Sequence, residues 1–183
     1  QYDVCEGEVP VYDGPTPEKA ATTEHVYSFD GWDKELQPVG NSDITYNAMF
    51  SESPRKYTIR FYDEDGTTLL SENEVEYGQF PTYTEPTKPS TPEWEYSFAS
   101  WDPAMTAVTD DASYRAKYNA TKREYIITFL DNDGTTILSA KNWKYGETPT
   151  CIVTDKNITG GIARFNRWNP TVTSVTGEAT YTA

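Results

Sequence analysis

Residues 57–71 read "YTIRFYDEDGTTLLS", and residues 125–139 read "YIITFLDNDGTTILS". With the offset of 68 held fixed, residues 57–78 and 125–146 are identical at 12 of 22 positions. In the first copy Tyr57, Ile59 and Phe61 alternate with Thr58, Arg60 and Tyr62 ahead of the acidic turn, and Tyr125, Ile127 and Phe129 hold the matching places in the second. A period of two is the signature of a half-buried strand. Asp65-Gly66 and Asp133-Gly134 then sit between two β-patterned runs, a strong short-range hairpin signal. The repetition makes this hairpin the unit from which the chain is built.

The similarity extends outward. "YGQFPTY" from Tyr77 answers "YGETPTC" from Tyr145, and "EGEVPVY" from Glu6 is a weaker third copy. "YSFASWDPAMTAVTDDASYRA" from Tyr96 answers "ARFNRWNPTVTSVTGEATYTA" from Ala163, with "YSFDGWDKELQPVGNSDITYNA" from Tyr27 as the third relative. Trp32, Trp101 and Trp168 are therefore equivalent, as are Phe29, Phe98 and Phe165, and Tyr46, Tyr114 and Tyr181. Three units follow: 1–54, an incomplete repeat without its first hairpin; 55–122, a complete repeat; and 123–183, a repeat truncated at its end. Ragged ends of this kind suggest a piece of a longer protein.

Within the complete unit, "PTYTEPTKPSTPEW" is too rich in proline for regular sheet and reads as an extended crossing loop. "EYSFASW" reads as a third strand and "ASYRAKYNA" as a fourth, with "DPAMTAVTDD" as a short turn or a single helical turn between them. No segment carries a long amphipathic pattern, so the expected class is mainly β, α+β at most. Polar stretches "SESPRK" and "NATKRE" mark joints of about six residues. Neighbouring units this small are expected to lean on each other and form a stiff, elongated rod.

The order "YxIxFxDxDGTTxLS", "YG", Pro-rich loop, "YSFxxW" and "VTxDASYxAxY" resembles the Listeria–Bacteroides repeat, the B-repeat module of internalin-type bacterial surface proteins. The family usually has a Gly-Trp pair in the third strand. Gly31-Trp32 keeps it, whereas Ser100-Trp101 and Arg167-Trp168 depart from it, and the preceding loop is longer than usual. The resemblance implies compact β-grasp-like modules acting as stalks or adhesive spacers.

Composition narrows the chemistry. The net charge of −14, from 15 basic and 29 acidic residues, repels phosphate backbones, so no nucleic-acid partner is expected. No apolar run approaches the roughly 20 residues that span a bilayer, so no membrane insertion is expected. The aspartates of the "DEDG" and "DNDG" loops lack the downstream oxygen ligands and closing glutamate of a calcium loop, and read as turns. His25 is the single histidine and aligns with Trp94 and Gly161. Cys5 aligns with Glu76 and Lys144, and Cys151 with Tyr83 and Tyr12, so neither a disulfide framework nor a catalytic thiol is expected. "TGG" at Gly160 reads as a loop rather than a phosphate cradle, and the sequons at Asn119 and Asn157 suit a threonine-rich chain by chance. No catalytic residue, cofactor or metal is expected.

Recurring Trp and Phe positions read as core. Trp94 and Tyr83, in or beside the Pro-rich loop, are the candidates for contact with a protein or glycan partner. The expectation is a non-enzymatic extracellular array that spaces or presents something at a bacterial surface or on a virus particle. Alternatives are a carbohydrate- or protein-binding module that uses those loop aromatics, and an accessory region of a larger enzyme.

Overall fold

The computed structural model describes residues 4–183, which form eleven strands and no helix among them. The fold is mainly β, in small separate sheets. Contacts divide the chain into two compact units, one reaching to Thr84 and adding Trp101–Ala116, the other made of Glu85–Ser100 and Lys117–Ala183. The division between them falls inside the second sequence repeat.

In the first unit, β1 (His25–Trp32) and β2 (Ala48–Pro54) form an antiparallel hairpin with Phe29 opposite Phe50. Next, β3 (Lys56–Tyr62) and β4 (Leu69–Glu76) form the hairpin that the "YTIRFYDEDGTTLLS" pattern requires. β5 (Trp94–Asp102) and β6 (Ala112–Lys122) each run from one unit into the other, and the sheet order is β4-β3-β6-β5. β6 lies parallel to β3, with Phe61 opposite Tyr114. Because Tyr57, Ile59 and Phe61 share one face, all three are buried, with Ile59 fully enclosed. The Phe61 ring stacks between Tyr83 and Tyr114 at 4.9 and 5.5 Å and meets the edge of Trp101 at 4.9 Å.

The second unit repeats the scheme with β7 (Glu124–Leu130) and β8 (Ile137–Lys144). A short hairpin of β9 (Lys156–Ile158) and β10 (Gly161–Ala163) follows. Last comes β11 (Ala179–Thr182), parallel to β7. Ile127, Phe129, Val175 and Tyr181 make the core, with Trp143, Cys151 and Trp168 packed against it.

One backbone clasp appears three times. Gly78 N–H donates to Val108 O at 2.8 Å and Val108 N–H donates to Gln79 O at 2.9 Å. Gly7, Val39 and Glu8 make the same pair of bonds, as do Gly146, Val175 and Glu147. The glycines lie at φ of +86°, +78° and +85° in chain order, where a side chain would be strained.

Three expectations are corrected. Residues 103–110 form no helical turn: Pro103 lacks an N–H, Thr106, Val108 and Thr109 are β-branched, and the clasp uses both backbone groups of Val108. The six-residue linkers do not exist, because "SESP" lies in β2 and "NATK" in β6, leaving only Arg55 and Arg123 outside strands. In the third repeat, residues 164–168 form no third strand; the preceding stretch has no proline and instead pairs with itself as β9–β10. Thr182 of β11 bridges Asn169.

Truncating the enclosed side chains, Ile59→Ala or Ile127→Ala, is expected to cost about 2–5 kcal/mol in urea denaturation followed by tryptophan fluorescence. Ile137→Ala, at a position 63% exposed, is expected to change stability by less than about 0.5 kcal/mol.

Candidate functional site

The acidic turns come first, because their carboxylates are the obvious ligands. Asp65 Oδ1 accepts the N–H groups of Thr67 and Thr68 at 2.8 Å each, and Oδ2 accepts the Thr68 hydroxyl at 2.6 Å. Asp133 makes the same three bonds with Thr135 and Thr136 at the same distances. Gly66 and Gly134 close the two turns with φ of +71°. Both oxygens of each aspartate are thus turned onto the chain itself, which is the work of an Asx turn. Among the described residues, no three His, Cys, Asp or Glu side chains converge as metal ligands. The Thr68 hydroxyl, then the Thr68 and Thr67 N–H groups, hold the Asp65 carboxyl down at about 2, and Asp133 is held at about 2 by Thr136 and Thr135 in the same way.

Of the two aromatic candidates, Tyr83 is half-buried and belongs to the core aromatic cluster. Besides stacking on Phe61, it meets Trp101 edge-on at 5.5 Å. Tyr12 stands in the same relation to Trp32 at 5.1 Å, and Cys151 fills the corresponding place in the third repeat. Trp94, also half-buried, opens β5, with Lys122 Nζ 5.5 Å from its ring centre and Glu93 paired to that same lysine at 3.4 Å. The Trp94 N–H is held by Thr91 Oγ1 at 2.9 Å, and His25 is held by Thr22 at 3.0 Å in the same turn. His25 is half-buried at the start of β1, and Cys5 and Cys151 are free thiols.

The arrangement that sequence reasoning missed is the joint itself. Arg55 N–H donates to Glu24 O at 2.8 Å, while Arg55 O accepts from Tyr77 N–H at 2.8 Å. Its guanidinium reaches Thr22 O at 3.1 Å and lies 5.2 Å from the centre of the Tyr57 ring. The Tyr57 hydroxyl, on a ring only 7% exposed, donates to Thr23 O at 2.8 Å. Around Arg123 the same pattern returns, with Glu93 O at 3.0 Å, Tyr145 N–H at 2.9 Å and Thr91 O at 3.4 Å. There the Tyr125 hydroxyl donates to Pro92 O at 2.6 Å. The available signal was an Arg-x-Tyr that recurs at the repeat offset, in "RKY" and "REY".

Because the folded Asp65 and Asp133 values lie below the ordinary 3.8, each turn contributes stability that is fully present above pH 4 and is lost as pH falls through about 2. Melting temperature is expected to fall over that window, and to fall less steeply in Asp65→Asn/Asp133→Asn.

No protein-family model matches the chain. No curated protein matches it either. A solved structure of Streptococcal High Identity Repeats in Tandem (SHIRT) domains 3-4 from a cell surface protein is similar over 67% of this chain and 83% of that chain. The identity is 21% and the TM-score 0.37, a likeness that carries no argument about fold or function.

Proposed function

We propose that the chain is a non-enzymatic, extracellular array of repeats of the Listeria–Bacteroides kind, which spaces or presents a partner at a bacterial surface. The observation that supports this reading is the joint built twice from the same residues. A spacer has to pass position from one repeat to the next, and a joint of one residue has only two soft backbone dihedrals in which to lose it. Each joint fixes that residue with bonds from its N–H, its carbonyl and its guanidinium, and adds a tyrosine hydroxyl. The acidic surface suits a chain that stays apart from its neighbours in solution.

Trypsin reads the joints directly, since its target bonds include those after Arg55, Lys56, Lys122 and Arg123. Under native conditions cleavage is expected first after Arg164 or Arg167, which lie outside strands, and at the joints only on unfolding. Early native cleavage after Arg55 or Arg123 would mean flexible linkers and would sink the spacer reading. Tyr57→Phe and Tyr125→Phe, which remove one hydrogen bond each, are expected to cost about 0.5–1.5 kcal/mol in the same denaturation measurement.

A glycan array separates this reading from a carbohydrate-binding one. The cleaner probe is Trp94→Ala, because Tyr83→Ala also removes a ring from the Phe61 and Trp101 cluster. No Trp94-dependent glycan binding is expected; binding that disappears in this variant would replace the spacer by a lectin-like module.

A further inference from the structure

β4 is an edge strand among the described residues, since the sheet order places β3 on one side of it and no described strand on the other. The parity of its backbone follows from the joint. Tyr77 N–H bonds inward to Arg55 O, and Val75 lies opposite Tyr57. In an antiparallel ladder every second residue bonds to the partner strand, so the main-chain groups of Glu72 and Glu74 point away from β3. Their side chains, with that of Glu76, share the outer face of the sheet, opposite Arg60, Thr58 and Lys56. Glu72 is already tied to Arg60 at 2.6 Å, which leaves Glu74 and Glu76 as the acidic end of the edge.

Beside this edge lies an open groove of about 580 Å³, with Phe61, Val75 and Phe80 in its lining and Lys56, Glu74 and Glu76 at its rim. Phe80 is 66% exposed, in a stretch whose neighbour Pro81 is buried. The third repeat provides a comparison within the same chain. Its edge strand β8 has the same parity, because Tyr145 N–H bonds to Arg123 O. There Glu72, Glu74, Glu76 and Phe80 are replaced by Ala140, Asn142, Lys144 and Thr148. The edge is common to both repeats, whereas the acidic rim and the exposed ring belong to the second alone.

We infer that the β4 edge and the Phe80 groove dock an extended segment of another protein that alternates Lys or Arg with apolar residues. Charge complementarity selects this occupant. An added strand places one set of side chains on the outer face opposite Glu74 and Glu76, and the alternate set over Val75 and Phe80. Main-chain bonds to Glu72 and Glu74 supply affinity, and the alternation supplies specificity. A second copy of this chain is a poor donor. Its alternating basic and apolar stretches, Lys56–Phe61 and Tyr114–Tyr118, lie in β3 and β6, which are paired on both sides in the sheet.

The probe is fluorescein-labelled Lys-Val-Lys-Val-Lys-Val, titrated into the full chain at low and moderate salt and followed by anisotropy. Binding is expected, with about tenfold weakening in each of Glu74→Lys and Phe80→Ser, both exposed positions. Asn142→Lys, the matching change in the third repeat, is expected to leave it unchanged. Hexalysine is expected to bind at least about tenfold more weakly, since it lacks the apolar set. Equal binding of hexalysine, or indifference to Phe80→Ser, would reduce the site to diffuse charge attraction and overturn the inference. Absence of binding by any peptide would overturn it as well, leaving the glutamates as guards against edge pairing.

Discussion

A single residue at each joint bonds to the chain on both sides of it. Arg55 gives its N–H to Glu24 in the hairpin behind it and its carbonyl to Tyr77 in the hairpin ahead. Between the ladder of β1–β2 and the ladder of β3–β4 there is therefore no stretch of chain that lacks backbone bonds. Buried main-chain groups must be paired, and here the pairing itself carries the chain from one sheet to the next. The Tyr57 ring contributes to both sides. Its body lies on the buried face of β3, and its hydroxyl finds Thr23 O in the turn that starts β1. An aromatic body in a core with its polar tip satisfied outside it is how tyrosine is best used. Arg123 and Tyr125 do the same in the other unit.

Proline and its absence decide much of the rest. The loop between β4 and β5 carries Pro81, Pro86, Pro89 and Pro92, and it stays extended without pairing to anything as a strand. In the third repeat, residues 150–169 contain no proline, and β9–β10 forms there around Gly160. Removing residues that cannot donate to a ladder allowed a ladder to form. Phe165 and Trp168 meanwhile still meet at 5.0 Å, and Trp168 lies 4.6 Å from Phe129. The aromatic packing of the repeat therefore persists where its third strand does not.

The strands, the turn and the core were legible because each rests on local periodicity and each is written more than once. Ile59 and Ile127, at the same place in the two copies of the strand, are both fully enclosed. Polar composition does not separate a linker from an exposed strand, and "SESPRK" is polar because β2 is exposed there while it pairs with β1. Tyr83 looked like a loop aromatic, yet its recurrence as Tyr12 held the clue that it packs on a tryptophan. Segment 103–110 was open to a helical turn on local grounds alone. The clasp from Gly78 to Val108, a contact 30 residues apart in sequence, is what a local reading could not supply.

In a repeat protein, recurrence and departure carry different information. What recurs here is scaffold: the clasp, the Asx turn, the arginine joint and the tyrosine on Trp32 and Trp101. A side chain that departs from the pattern is released from that duty, and its surroundings decide what it does instead. Trp94 departs from His25, but its ring has Lys122 over it and that lysine has Glu93. Phe80 departs from Thr148, is two-thirds exposed, and stands beside an unpaired edge whose outward glutamates also lack counterparts. An exposed ring contributes little to the fold, and Glu74 and Glu76 add negative charge to a chain that is already acidic. Where three such departures meet in one groove, contact with another chain accounts for them together, and the fold alone does not.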